Sequence, residues 1–346
     1  MEDIPFKDRV LEMPSGFSLI WPFRNQRRGT GPYELFLDNN ALITSKWFFE
    51  LPSTMRLGSV ISPIHAYSEQ WLSNPSFNEN TEARIKEFIK PFQNAGVIFE
   101  KGHEIKMAQL LGQNDKESKT QWMMSYLYVV LLYRIVSSDK GDVMPRRLLR
   151  SLKDKDVPKF NGCIMLCTLA GYLKDNKGIK LIGDNKPAFS YISSFVDLHA
   201  TNKNESTVDE SYLRNRAGDI SMWLTLPALL QNNYQQAGEL VVVTQDKALK
   251  KLIFRCFPSV IHESGTMAFS FDENSFALEH SKKIWKLILE NTSSISVKET
   301  TREEKFNRLS RLKIHVLEGA EESLVLEVDK VWNDWIVPGF FGEFTV

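Results

Sequence analysis

The chain has few cysteines, no long uninterrupted apolar run and no excess charge of one sign. Three cysteines in 346 residues are too few, and odd in number, for a disulfide framework. The most apolar run, residues 122–136, contains Arg134 and falls short of the roughly twenty apolar residues that a membrane span needs. Residues 1–16 mix charged and apolar side chains, so they lack the apolar core of a signal peptide. We therefore expect a soluble, cytoplasmic protein without a membrane partner.

The charge balance excludes a global positive field. Lys plus Arg and Asp plus Glu each total 43, so any nucleic-acid partner must be held by a local basic patch. The predicted phosphate contacts are arginines in two short clusters, although a solvated surface is the usual meaning of such runs. They are Arg146, Arg147 and Arg150 in the first cluster, and Arg214 and Arg216 in the second.

Several common catalytic signatures are missing as well. The sequence has no Gly-rich phosphate loop ending in Gly-Lys-Ser or Gly-Lys-Thr, which argues against an NTPase. It has no Gly-x-Ser-x-Gly elbow, which argues against the α/β-hydrolase type of serine hydrolase. The six histidines show no metal-ligand spacing.

Strand and helix patterns alternate in residues 33–112. Apolar runs at 34–37, 59–63 and 97–99 predict three strands, and helical patterns follow each of them. Strand, helix and strand in succession favour a right-handed parallel layout. This stretch therefore predicts one half of an α/β sheet domain.

The alternation resumes in residues 208–265. A helix is predicted from Asp219, a strand at 239–243, a helix at 247–256 and a strand at 259–262. The two stretches together predict a discontinuous α/β domain with a parallel sheet between helices.

The remaining parts of the chain have a different character. Residues 113–207 show helical patterns only and end in a polar stretch at 200–207 that is typical of a surface linker. Residues 266–346 are again helical, and residues 1–32 have no clear period. We therefore expect a large helical insertion, a helical C-terminal extension and a separate N-terminal segment.

Four acidic residues in the α/β stretches are candidates for one site. Asp38 and Asp246 follow apolar strand-like runs, whereas Glu69 and Asp219 lie on predicted helices. Ligands gather outside the carboxyl ends of parallel strands, so acids at those ends can meet although they are distant in sequence. Clustered carboxylates repel one another unless a divalent cation neutralises them. The acids therefore predict a site for Mg²⁺ or Mn²⁺.

Together these segments resemble the PIN-domain nuclease superfamily. Its pattern is an apolar strand ending in Asp with Asn two positions later, a Ser-Pro segment before a helical Glu, an Asp opening an apolar helix, and a strand ending in Thr-x-Asp. The matching residues are Asp38 and Asn40, then Ser62, Pro63 and Glu69, then Asp219, and finally Thr244 and Asp246. The separation of Glu69 from Asp219 is longer than in small members of the family, which implies an elaborated substrate site.

The resemblance implies a metal-dependent nuclease with a PIN-like fold. The four acids would be the catalytic and metal-binding residues, while Asn40 and Thr244 would orient their carboxylates. Carboxylate-held Mg²⁺ or Mn²⁺ can bind the scissile phosphate, lower the pKa of water and stabilise the leaving oxygen. RNA is the expected partner rather than DNA because most members of the family cut RNA. A toxin, defence or RNA-processing role fits, and the extension could bind a regulatory protein.

Each acid also has a simpler interpretation. Asp38, Asp219 and Asp246 could be helix N-caps, a very common use of Asp, and Glu69 could be a solvated helix residue. A scaffold that has lost catalysis, or a structure-specific DNA nuclease, would be compatible with the same segments.

Overall fold

The computed structural model describes two compact units. Unit 1 comprises Met1–Asp115 and Met222–Ser270, and unit 2 comprises Lys116–Ser221 and Phe271–Val346. The predicted linker at 200–207 lies outside the described residues. The described residues are 4–198, 212–231, 234–256, 259–261, 267–292 and 301–341.

Unit 1 is built on a five-stranded mixed sheet, and a two-stranded antiparallel sheet follows it in the chain. The strands are β1 (Val10–Glu12), β2 (Ser18–Ile20), β3 (Tyr33–Leu37), β4 (Val60–Ser62), β5 (Glu239–Thr244), β6 (Ser259–Ile261) and β7 (Met267–Phe269). The order across the larger sheet is β1-β2-β5-β3-β4. β3 lies between β4 and β5 and is parallel to both, whereas β2 is antiparallel to β5 and to β1.

The α/β class is therefore confirmed, but the expectation of a purely parallel sheet is wrong. The antiparallel part comes from residues 1–32, whose strands of three residues are too short to show an alternating period. Arg9 is buried beside them and donates to the carbonyls of Trp21, Pro22 and Phe254. The N-terminal segment is thus part of the unit 1 sheet.

Helices make up most of the remaining described chain. In chain order they are α1 (Asn39–Ile43), α2 (Lys46–Glu50), α3 (Ser53–Arg56), α4 (Ile64–Ser73), α5 (Pro75–Glu79), α6 (Thr81–Asn94), α7 (His103–Gln113), α8 (Asp115–Ser137), α9 (Met144–Ser151), α10 (Asn161–Asp175), α11 (Ala188–Phe195), α12 (Tyr212–Gln231), α13 (Phe254–Cys256), α14 (Leu278–Asn291), α15 (Arg302–Leu317), α16 (Glu322–Trp335) and α17 (Val337–Phe341). A π-helical turn at Leu249–Ile253 precedes α13.

The main core of unit 1 lies on one face of the sheet. Leu35 and Leu37 of β3 and Val241 and Val243 of β5 are buried in it, because alternate strand residues point to the same face. Aromatic side chains from α2 and α6 cover this face, and the ring of Trp47 lies 6.0 Å from that of Phe92. The β-branched run of β5 is thus explained by burial as well as by strand propensity.

The predicted strand at 97–99 is wrong. The backbone N–H of Val97 donates to the carbonyl of Phe92, which closes the turn that follows α6. Ile98 is 93% exposed. A three-residue apolar run without a partner strand has no ladder to join, so it forms the loop that leads into α7.

Unit 2 is helical in its described parts, and the predicted helical patterns at 119–137, 143–153, 161–174 and 187–200 correspond to α8–α11. α10 and the part of α8 from Trp122 to Ile135 are buried on nearly every side, and α10 packs against α9, α11 and α14. The guanidinium of Arg134 on α8 donates to the carbonyls of Val316, Glu318 and Gly319, which satisfies the C-terminal carbonyls of α15. Among the described helices, none combines the length and apolar character required to cross a bilayer.

Replacing Trp21 with Ala tests whether the N-terminal segment belongs to the sheet domain. Trp21 is fully buried and packs edge-on against Tyr33, so its loss should lower the free energy of unfolding of unit 1 by about 3–5 kcal/mol. Hydrogen exchange of the β5 amides would report the change in unit 1. Leu57→Ala, at a side chain that is 83% exposed, is the control and should cost at most about 0.5 kcal/mol. Equal effects of the two substitutions would contradict the assignment.

Candidate active site

Asp38 lies at the carboxyl end of β3 and joins three elements. Its backbone N–H donates to the carbonyl of Val243, which extends the β3–β5 ladder by one bond. Its carboxylate accepts from the N–H of Ala41 at 2.6 Å and from the N–H of Gln245 at 3.2 Å. Asp38 is therefore the N-cap of α1 and also a link to the residues that follow β5.

Thr244 connects Asp38 to Asp246. The Thr244 hydroxyl donates to the Asp38 carboxylate, and its oxygen accepts from the N–H of Asp246 at 3.0 Å. The Asp246 carboxylate in turn accepts from the N–H of Leu249 at 2.8 Å and opens the π-helical turn. Both aspartates therefore act as caps, and the structure brings both to the carboxyl ends of adjacent parallel strands.

The pKa of Asp38 is raised from 3.8 to about 6. Burial is the main cause, since the side chain is 3% exposed and the charged form loses its hydration. Hydrogen bonds from Thr244, Ala41 and Gln245 lower the pKa, while the negative charge of Asp246 raises it. The two carboxylates thus lie close enough to repel each other.

Glu69 lies on α4 in the same unit and is 7% exposed, so the interpretation as a solvated helix residue is wrong. α4 follows β4 directly and packs against β3 and α1. This places Glu69 on a helix next to the strand that ends in Asp38.

An amide chain beside these acids was missed by the sequence analysis. The side-chain amide of Gln70 donates to Asn39 at 2.6 Å and accepts from Asn74 at 2.7 Å. Asn39 and Gln70 directly follow Asp38 and Glu69, so the chain ties the two acid-bearing segments together. Asn40, the predicted orienting residue, is exposed. The sequence signal was the amide residue that directly follows Asp38 and the one that directly follows Glu69.

Asp219 lies in unit 2, about two turns after the first described residue of α12. The prediction that α12 opens at Asp219 is therefore wrong, and so is its N-cap interpretation, because the helix already includes residues 212–218. The carboxylate of Asp219 forms an ion pair with Arg216 at 2.7 Å. The structure brings Asp38 and Asp246 together in unit 1, with Glu69 on a packed neighbouring helix, and leaves Asp219 in the other unit.

Four of the five predicted phosphate-binding arginines have carboxylate partners within unit 2. Arg214 pairs with Glu327, Arg216 with Asp219, Arg146 with Asp175 and Arg147 with Glu318. Arg150 is exposed. These four arginines therefore have their charges offset by carboxylates of their own unit.

Unit 1 holds a basic group that the sequence analysis missed. Lys250, on the π-helical turn, places its Nζ 3.3 Å from the Ser18 hydroxyl and 3.5 Å from a Glu12 carboxylate oxygen. Ser18 is the register partner of Thr244 across β2 and β5. The sequence signal was the spacing of four residues between Asp246 and Lys250, which places the lysine one helical turn after the acid.

The donor set of unit 1 fits a hydrated divalent cation rather than a closed protein cage. Within the described ranges, no group of three or more His, Cys, Asp and Glu side chains is disposed to hold a metal ion. The three donors to Asp38 use about three of its four lone-pair directions, which leaves roughly one for a metal. Mg²⁺ commonly takes one or two carboxylates and fills its remaining positions with water and substrate phosphate. Asp38 and Asp246 meet that lower requirement, and a cation would relieve their repulsion.

Ser151, His315 and Glu318 are aligned in unit 2, but they do not form a hydrolase triad. His315 Nε2 lies 3.1 Å from Ser151 Oγ but also 3.0 Å from the carbonyl oxygen of Leu148. Because a carbonyl oxygen only accepts, Nε2 carries the proton and cannot act as the base for Ser151. These residues instead tie the end of α9 to α15.

Comparison with known proteins gives no match: no family model, no curated protein and no solved structure aligns with this chain. The resemblance to PIN nucleases therefore depends on the four acidic segments alone.

The raised pKa of Asp38 predicts how stability depends on pH. The folded state binds the Asp38 proton more tightly than the unfolded state does. The stability that this tighter binding adds is complete below about pH 4 and is lost as the pH rises through about 6. In EDTA, the free energy of unfolding of the wild type should fall by about 3 kcal/mol between pH 4 and 7, relative to that of Asp38→Asn. Urea denaturation of both proteins across this range measures the difference. A difference independent of pH would show that Asp38 keeps an ordinary pKa.

Thr244→Val tests the hydroxyl link. The substitution removes the donor to Asp38 and the acceptor of the Asp246 N–H, so we expect a further rise in the pKa of Asp38 and a loss of about 1–3 kcal/mol in stability. A carboxyl-carbon NMR titration of Asp38 measures the first effect and urea denaturation the second. Thr244→Ser keeps the hydroxyl and should behave like wild type. If valine and serine gave the same pKa, the link would be absent.

Proposed function

We propose that unit 1 is a divalent-metal-dependent nuclease that hydrolyses phosphodiester bonds, with RNA as its substrate class. The observation that supports this is the linked arrangement of Asp38, Thr244 and Asp246 at the ends of β3 and β5. Ligands of open α/β sheets bind outside these strand ends. Two buried or half-buried carboxylates that repel each other lower the stability of the folded state, unless a cation or substrate binds to them.

The residues have distinct roles in this proposal. Asp38 and Asp246 would hold the metal, and Thr244 fixes the orientation of both through its hydroxyl. Asp38 needs no reorganisation because its N–H donors already hold it in place. Glu69 approaches the site through water and orients the nucleophile. A bound Mg²⁺ or Mn²⁺ would supply activation of that water and neutralisation of the phosphate.

Asp219 has no role in this proposal for unit 1, because it lies in unit 2 and its carboxylate is paired there with Arg216. The choice of RNA follows from the family that the four segments resemble, since most of its members cut RNA. A toxin, defence or RNA-processing enzyme would use the same chemistry.

A second candidate is a non-catalytic scaffold. It is favoured by the N–H and O–H groups that already occupy most of the Asp38 lone pairs, because a carboxylate with three protein donors can serve as a structural staple. In that case the acids stabilise the sheet edge, and the helical surfaces bind a regulatory protein.

Cleavage assays with the full chain separate these candidates. With Mn²⁺ or Mg²⁺, labelled single-stranded RNA should be cut, and EDTA should abolish the reaction. Asp38→Asn and Asp246→Asn should each lower the rate at least about 100-fold. Removal of a residue that only hydrogen-bonds to a metal ligand can already lower activity by up to about this factor, and removal of the ligand itself should lower it at least as much. The matched control is Glu82→Gln, at an exposed acid on α6, which should retain full activity.

The substrate range decides between the alternatives. Single-stranded DNA and branched DNA duplexes are tested beside the RNA, and preferential cleavage of the branched duplexes would favour a structure-specific DNA nuclease. Equal cleavage of RNA and DNA would count against an endoribonuclease. If no metal-dependent cleavage of any substrate occurs, the scaffold replaces the nuclease.

A further inference from the structure

A row of buried polar side chains crosses the sheet beside the two aspartates. Ser18 pairs with Thr244 in register, and Asp38 extends the β3–β5 pairing one step beyond Leu37 and Val243. Ser18, Thr244 and Asp38 therefore lie side by side on three neighbouring strands. Each is at most 3% exposed, so this row forms a buried polar end of the three strands.

The row ends at a lysine rather than at another neutral group. Lys250 donates to the Ser18 hydroxyl at 3.3 Å, and its side chain is only 13% exposed. Lys250 and Asp246 belong to the same helical turn, since the N–H of Lys250 donates to the carbonyl of Asp246. An ammonium group therefore lies beside Ser18, which is the register partner of Thr244 across β2 and β5.

A carboxylate of the protein already faces this lysine. One Glu12 oxygen lies 3.5 Å from Lys250 Nζ and 3.7 Å from Lys251 Nζ. Two ammonium groups therefore share one anion, and Glu12 is 59% exposed at the end of β1. The Glu12 end of this pair is open to solvent, which screens the attraction, so Glu12 can leave at modest cost.

We propose that Lys250 and Lys251 form a binding site for a backbone phosphate of nucleic acid, that Ser18 positions the Lys250 ammonium group, and that Glu12 occupies this site as an internal substitute for the phosphate. The site lies next to the aspartate pair through the shared Thr244, so it would hold a phosphate that flanks the one being cut. A phosphodiester presents two non-bridging oxygens, enough for both ammonium groups. This inference builds on the proposed nuclease function by adding a substrate-binding group.

The proposal assigns the phosphate contact to unit 1 itself. The arginines predicted for this role lie in unit 2, and four of them pair there with carboxylates. Lys250 is closer in the chain to an acid of the site, four residues after Asp246, and its carboxylate partner is largely exposed.

Oligonucleotide binding tests the site without requiring cleavage. The affinity of the full chain for a fluorescent single-stranded RNA is measured by anisotropy in EDTA over a series of salt concentrations. Lys250→Met should weaken binding and flatten the slope of log K against log salt by about 0.7, the value of one phosphate contact on a single strand. Lys250→Arg keeps the charge and should preserve the slope. Lys247→Met, at an exposed lysine in the same segment, is the matched control.

Glu12→Gln gives the more diagnostic result. Removal of the competing carboxylate should tighten RNA binding roughly twofold to fivefold, the equivalent of one exposed ion pair. A purely structural ion pair would give no gain in affinity. Thermal unfolding of each variant verifies that it is folded.

The outcomes for the phosphate site and for the nuclease are separable. If Lys250→Met matches Lys247→Met in slope and Glu12→Gln binds no tighter than wild type, the phosphate site is refuted, even if the protein cuts RNA. Absence of RNA binding by wild type also refutes it. If the variants follow the predicted pattern but no metal-dependent cleavage occurs, the phosphate site stands and the nuclease proposal fails.

Discussion

The Asp38 carboxylate at the end of β3 holds the edge of the sheet together. It caps α1 through Ala41, accepts from the N–H of Gln245 after β5 and accepts from the Thr244 hydroxyl. The two central parallel strands therefore end at a fixed separation, and the segments that follow them start in fixed directions. The positions of Asp246 and of the turn that carries Lys250 depend on this link, because both follow Thr244 directly in the chain.

The same carboxylate is also a point of electrostatic conflict. Burial and the charge of Asp246 raise its pKa, and the hydrogen bonds oppose that rise only in part. A structural cap needs no second acid beside it, whereas a cation site gains from two carboxylates held close together. The amide chain of Asn39, Gln70 and Asn74 adds to this view, since it connects the segments of two acids without adding charge.

Prediction from sequence succeeded where a long local pattern had one physical meaning. The apolar runs at 34–37 and 239–243 became β3 and β5, because such runs are stable only when buried between neighbours. The helices of residues 113–198 appeared at nearly their predicted positions for the same reason. Prediction failed for short elements: the strands of residues 1–32 are too brief to show a period, and residues 97–99 have no partner strand.

The sequence by itself determined the α/β class, the main strands and the candidate acids, since these follow from residue type and local spacing. Only the tertiary structure decided which of those residues meet. It joined Asp38, Thr244 and Asp246 through hydrogen bonds and placed Ser18 beside Thr244. These outcomes depend on strand order and register, which arise from packing between segments far apart in the chain and leave no local trace in the sequence.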